Sequence, residues 1–274
     1  MKKFIKPLLV AIIFLIMQGV AGGITGLILV ITKPEFLEAV KAGNEAEITS
    51  AIPASWLAYT IDVSGILTVI IASAMKLINW NTVFCWDKKQ ASRAWLPLIA
   101  AIAGIFSIAV FEENLQLEDE LAEQFASMMH SVVGIISISI VGPIIEELCF
   151  REAIMGGLLR KGVKPWVAIG LSAAIFGLIH GNPVQIVGAG LMGVIFGIVY
   201  YKSGNIILSS VLHILNNSFA TFIALTYGME TSLSDIFGSN TITIVSGIIC
   251  AIFSIALFVR YWKCEKLNEV KSEK

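Results

Sequence analysis

The chain has 274 residues, of which 57% are hydrophobic and only 14% charged, at a mean hydropathy of +0.84, whereas a soluble domain carries about 25% charged residues. An ordinary water-soluble domain is therefore excluded. The net charge of −1 says nothing about a partner, no basic run suggests nucleic acid, and Cys85, Cys149, Cys250 and Cys264 form no CxxC pair, so neither a disulfide scaffold nor a cysteine zinc site is supported.

Apolar runs of roughly 20 residues recur along the chain, each long enough for a ~30 Å hydrocarbon core. They are continuous rather than alternating, which selects helices over barrel strands. The basic start, Lys2, Lys3 and Lys6, resembles a signal peptide. The apolar stretch behind it runs on to Ile31, too long for a ~7–15-residue signal core. It is expected to stay as a first span near 7–31, followed by spans near 55–78, 94–111, 131–158, 165–181, 184–201, 205–226 and 241–262. The fold class is all-α, a polytopic transmembrane helical bundle of about eight spans. No linker divides the chain, so 1–274 reads as a single integral membrane domain.

Charge in the connecting segments orients those spans. Lys2, Lys3 and Lys6 precede the first; Lys88, Lys89 and Arg93 lie between the second and third. Arg160, Lys161 and Lys164 follow the fourth, Lys202 the sixth, and Arg260, Lys263, Lys266, Lys271 and Lys274 close the chain. The segments 112–130 and 227–240 hold no Lys or Arg, and 32–54 is mixed. Because Lys- and Arg-rich loops stay cytoplasmic, eight spans put every strongly basic segment, and both termini, on the cytoplasmic side. Gly19/Gly23, Gly177/Gly181 and Gly193/Gly197 have the spacing that lets helices approach closely in lipid.

A charged side chain at membrane depth costs at least ~2.5–3.5 kcal/mol on insertion scales and marks function by default. Asp62 falls near the outer end of span two and His130 at the mouth of span four, both readable as water-facing. The others gather in three spans. Span four carries Glu146, Glu147 and Arg151 after Pro143, with Glu146 ~20 Å along the axis from Arg160. Arg151 stands four residues after Glu147, the favourable order for a pair on one helical face, which leaves Glu146 as the freer carboxylate. Span five ends on His180, after Phe176, and span seven carries His213 and Asn217 on one face. Counted from the cytoplasmic ends, Glu146, His180 and His213 reach similar depth.

Hydrolysing a peptide bond needs an activated water and a stabilised oxyanion. A carboxylate in low-dielectric surroundings can serve as the general base, so Glu146 with His180 could hold and deprotonate a water. His213 and Asn217 could donate to the oxyanion. GxSxG is absent, and Ser218 beside Asn217 has no identifiable base. Glu146, His180 and His213 also match the ligand count of a catalytic zinc with an open position, though HExxH is absent. Glutamate catalysis without metal and a zinc site both remain open on spacing alone.

These residues are where the chain resembles the CPBP intramembrane proteases, a family that includes type II CAAX prenyl endopeptidases and bacterial bacteriocin-processing or immunity proteins of the Abi group. Its EExxxR motif matches Glu146, Glu147 and Arg151; its FxxxH motif matches Phe176 and His180; its HxxxN motif matches His213 and Asn217. The resemblance covers 131–226, the expected catalytic core. It implies that Glu146 and His180 position the water, that His213 and Asn217 form the oxyanion site, and that Glu147, Arg151 and Phe176 support them. Glu152 departs from the glycine that many members carry after the motif arginine.

The expected function is an intramembrane endopeptidase in a bacterial plasma membrane, cutting a membrane-bound or hydrophobic peptide near the cytoplasmic side, with the lipid bilayer as its other partner and zinc as the candidate cofactor. The alternatives are a non-enzymatic bacteriocin immunity or scaffold protein on the same fold, and a proton-coupled transporter. Transporters often carry inverted repeats, and none is visible.

Overall fold

The computed structural model describes residues 2–86, 92, 94–117, 119–229 and 231–263, and every regular element among them is helical. Seven helices are long and apolar enough to cross a bilayer: α1 (Lys2–Thr32), α4 (Ala54–Ala74), α5 (Trp95–Leu115), α7 (Val132–Arg160), α9 (Pro183–Ser203), α10 (Ile207–Tyr227) and α12 (Asn240–Lys263). Between them lie α2 (Pro34–Ala42), α3 (Glu45–Ala51), α6 (Ala122–Met129), α8 (Pro165–Leu178) and α11 (Leu233–Phe237). Exposed Ile, Leu, Val and Phe line the outer faces of α1 and α12, as an environment of lipid allows. The chain is an integral membrane protein.

The fifth expected span, 165–181, is shorter than sequence implied: α8 has 14 residues, ~21 Å at the rise of an α-helix. It nevertheless carries the chain from one end of the bundle to the other. It lies antiparallel to α9, with Gly177 against Gly190, Ala173 against Gly193 and Ile169 against Gly197. At its start, Trp166 stacks on Trp262 with ring centroids 6.2 Å apart. Past its end, the Asn182 amide donates to Asp119 at 2.6 Å.

Those contacts define two ends. At one, Pro7 packs on Gly157, Arg160 donates to the Leu77 carbonyl, Ile206 N donates to Val83 O at 3.1 Å, and Lys202 Nζ donates to Trp262 O at 3.1 Å. The start of α1, the segment after α4, the α7–α8 and α9–α10 connections and the close of α12 therefore meet there, the set that the basic residues mark. At the other end, Glu113 accepts from the backbone N–H groups of Leu233 and Ser234 at 2.7 and 3.1 Å, beside the Asp119–Asn182 contact. Of the basic side chains used to orient the spans, Lys88, Lys89, Arg93, Lys266, Lys271 and Lys274 lie outside the described residues, as does Cys264.

The helix that holds the glutamates departs most from expectation. Instead of one α-helix from 131, the chain turns at His130, and Ser131 caps the new start by accepting from Gly134 N at 2.9 Å. Residues Ser137–Val141 and Glu147–Gly156 are π-helical, flanking an α-turn that contains Pro143. Proline has no N–H to give the preceding turn, and the Gly142 N–H bonds five residues back, to Ser137 O. The wider turns re-aim the side chains on either side, a feature that recurs at functional sites.

Candidate active site

The site is built where α7, α8, α9 and α10 meet. Glu147 and Arg151 are both 0% exposed at the side chain, and Arg151 Nε stands 3.3 Å from Glu147 Oε1. That is the pairing expected from the four-residue spacing. The guanidinium is otherwise held by faces: it lies 4.3 Å from the Phe176 ring centroid and 5.4 Å from that of Phe196. Such cation–π contacts gain strength when desolvated. Its Nη atoms and Glu147 Oε2 are buried with no hydrogen-bond partner among the described residues.

His213 sits between the two glutamates. Its Nδ1 is 3.2 Å from Glu147 Oε1 and its Nε2 is 3.4 Å from Glu146 Oε2. The ring stacks on Phe196 at 4.8 Å and meets Phe176 edge-on at 5.7 Å. Both nitrogens thus face carboxylates, a geometry that satisfies two N–H donors on the protonated ring. Glu146 retains 24% of its side-chain exposure while Glu147 has none. Glu147 is thus the more committed carboxylate and Glu146 the freer one, the asymmetry inferred from sequence.

His180 stands apart from the glutamates. It lies in the turn just after α8, half-buried, and its Nδ1 is 2.7 Å from Phe176 O. A carbonyl only accepts, so Nδ1 carries the proton and Nε2 is left as an acceptor. The ring touches Phe176 edge-on at 5.0 Å, and among the described residues it pairs with neither glutamate. Phe176 therefore separates the two histidines. Asn217 also has a prior engagement: its amide donates to Ile138 O at 3.0 Å and its Oδ1 accepts from Asn216 at 3.0 Å. One of its two N–H groups stays uncommitted.

The possible zinc set of Glu146, His180 and His213 does not fit a metal in this arrangement. Glu146 and His213 face each other, but His180 is turned onto Phe176, and among the described residues no three His, Cys, Asp or Glu side chains converge as a metal would need.

Three contributors escape sequence reasoning. Phe196 clamps both Arg151 and His213 but belongs to no polar pattern; only its place between Gly193 and Gly197 on a close helix crossing hints at it. Tyr200 and Arg160 claim Glu152: the tyrosine hydroxyl donates to Oε2 at 2.6 Å, Arg160 Nη1 to Oε1 at 2.7 Å, and Asn79 N to Oε1 at 3.1 Å. The acid that departs from the family pattern thus belongs to a separate, satisfied network. Asp62 is half-buried within α4 and accepts from Ser137 Oγ at 2.7 Å. His130 is exposed.

Residues 128–219 match the family model described as type II CAAX prenyl endopeptidase Rce1-like, a segment that holds all seven site residues. A Bacillus subtilis (strain 168) protein, YdiL, whose assignment as a membrane peptidase is itself provisional, is 30% identical over 148 residues, which is 50% of this chain and 60% of that relative. The match thus spans less than two thirds of the relative. No solved structure matches. The ordered motifs and the family match make residues 128–219 of this integral membrane protein similar to the type II CAAX prenyl endopeptidase Rce1-like family.

Proposed function

We propose that the chain is an intramembrane endopeptidase of the CAAX type, acting on a membrane-associated or hydrophobic peptide, with 131–226 as its catalytic core inside one integral domain spanning 1–274. The observation that carries the reading is the contrast between the glutamates. Glu147 is locked by Arg151 and His213 out of solvent, while Glu146, on the same histidine, remains partly open. A helix-packing role would need both to be satisfied.

In this reading Glu146 takes a proton from a water as its oxygen attacks the scissile carbonyl carbon. His180 Nε2, free to accept, orients that water. The developing oxyanion is met by His213 Nε2–H and by the uncommitted Asn217 N–H. On collapse the C–N bond breaks, and Glu146 returns the proton to the leaving amine. Glu147 orients His213, and Arg151 stands as the counter-charge to Glu147. The substrate class follows from depth and lipid exposure, and from likeness to a family of prenyl endopeptidases and to a membrane peptidase.

Peptides that accumulate in cells lacking the protein supply the assay substrate. Glu146→Gln is expected to abolish their cleavage by the purified protein while helicity and thermal unfolding stay unchanged; unaltered turnover would sink the assignment. Purified protein is expected to keep its activity under chelators and to hold no stoichiometric zinc, and activity lost with the metal would reinstate the zinc reading. An immunity protein on the same fold would still protect cells with Glu146 and His213 replaced.

A further inference from the structure

We propose that Pro143 is a positioning residue of the candidate site: it denies the Ile138 carbonyl a backbone donor and so makes that carbonyl the anchor for Asn217, while the hydroxyls of Ser139 and Thr221 hold α7 and α10 together at the anchor. The part that Asn217 plays in turnover rests on the peptidase reading; the anchor does not.

The cause lies in the backbone. A helical carbonyl accepts from the N–H four residues on in an α-turn and five residues on in a π-turn. For Ile138 those donors belong to residues 142 and 143. The Gly142 N–H goes to Ser137 O instead, and Pro143 has no N–H to give. Both helical donors are thus withheld from Ile138 O inside a membrane span, where an unmatched carbonyl is costly. Asn217 Nδ2 supplies the missing donor from α10, at 3.0 Å.

The seam around this bond is closed and bonded throughout. His213, Asn217 and Thr221 stand four residues apart on α10 and share one face. That face meets α7 three times: His213 between the glutamates, Asn217 at Ile138 O, and Thr221 Oγ1 accepting from Ser139 Oγ at 3.2 Å. Ser139 and Thr221 are both buried. From a third helix, Asp62 of α4 accepts from Ser137 at 2.7 Å. The π-helical turn is therefore tied to two neighbours and cannot rotate without breaking a buried polar pair. Asn217 Oδ1 meanwhile accepts from Asn216 at 3.0 Å. With its oxygen and one N–H bonded, the amide plane is fixed, and the direction of the second N–H, the donor assigned to the oxyanion, follows from it. Pro143 thus acts on that donor without touching the reacting atoms.

The test uses full-length protein and the peptides that accumulate in its absence. Pro143→Ala gives the turn back its N–H. In a π-turn the new N–H reaches Ile138 O; in an α-turn the Gly142 N–H does, so either way Asn217 meets a competitor. Pro143→Ala is expected to lower kcat by about 10- to 100-fold with KM little changed, the split that marks a contact made only in the transition state. It is expected to unfold on heating no earlier than the native chain, since helices favour alanine over proline. On an Asn217→Ala background it is expected to cost nothing more, because its effect passes through that amide. Thr221→Val is expected to lower kcat in the same way and Thr221→Ser to restore it; these carry the test alone if Pro143→Ala unfolds early. A readout independent of turnover is the Asn217 side-chain amide in the magnetic resonance spectrum of protein carrying isotope-labelled asparagine, identified by its loss in Asn217→Ala. Its two N–H signals are expected far apart in the native protein and drawn together by Pro143→Ala. Native kcat in a folded Pro143→Ala protein, losses that multiply with that of Asn217→Ala, or an unmoved amide signal overturns the proposal and leaves the peptidase reading standing. An amide signal that moves as expected in a protein that cleaves nothing keeps the anchor and sinks the peptidase reading.

Discussion

Arg151 has Glu147 as its counter-charge, and neither side chain reaches solvent. Removing one member of such a buried pair leaves the other uncompensated, at a cost of about 3–5 kcal/mol, whereas replacing both can be near neutral. Arg151→Met is therefore expected to lower stability by about that amount, and Arg151→Met with Glu147→Gln to recover much of it, read from unfolding in mixed detergent micelles. Equal losses in the single and double variants would show that the pair is not coupled. This pair was legible in the sequence because four residues on one helix place both groups on one face. The contacts of His213 with both glutamates were legible only as shared depth, since spacing along α7 and α10 says nothing about how the helices rotate toward each other. The capture of Asn217 by Ile138 O left no mark in the sequence, because it depends on the π-helical turn exposing that carbonyl.

At the scale of helices, small residues divide into those that matter and those that do not, which spacing alone does not separate. Gly177, Gly193 and Gly197 lie in the α8–α9 crossing, where an added methyl would meet backbone at Ile186 and Gly190, at Ala173, or the Ile169 side chain. Gly19 and Gly23 share the same spacing but face open space, and Gly181 is in a turn at φ +68°. Gly177→Ala is accordingly expected to destabilise by about 1–3 kcal/mol through overpacking against backbone that cannot yield. Gly170→Ala, with nothing near its added methyl, should change thermal unfolding little. Equal effects would show that α8 and α9 are not in close contact. The existence and order of the spans were readable from apolar length. The brevity of α8 and the π-turns of α7 were not: a 14-residue helix reads like a longer one until its turn is seen bonding to Asp119, and Pro143 signals a disturbed turn without saying how it resolves.

For the molecule as a whole, the alternation of basic and acidic connections becomes a physical separation of two ends, and the parity of the crossings decides what that means. Counting only the seven long helices would put the termini on opposite faces. The short α8, joining Trp166 at the basic end to Asn182 at the acidic end, supplies the eighth crossing and returns both termini to one face. Because Lys- and Arg-rich segments remain in the cytoplasm, that face is expected to be cytoplasmic. Reporter fusions test this: a fluorescent protein that folds in the cytoplasm should light up on either terminus, and a phosphatase active only outside should work when inserted after Leu117, between α5 and α6. Phosphatase activity at a terminus instead would invert the protein.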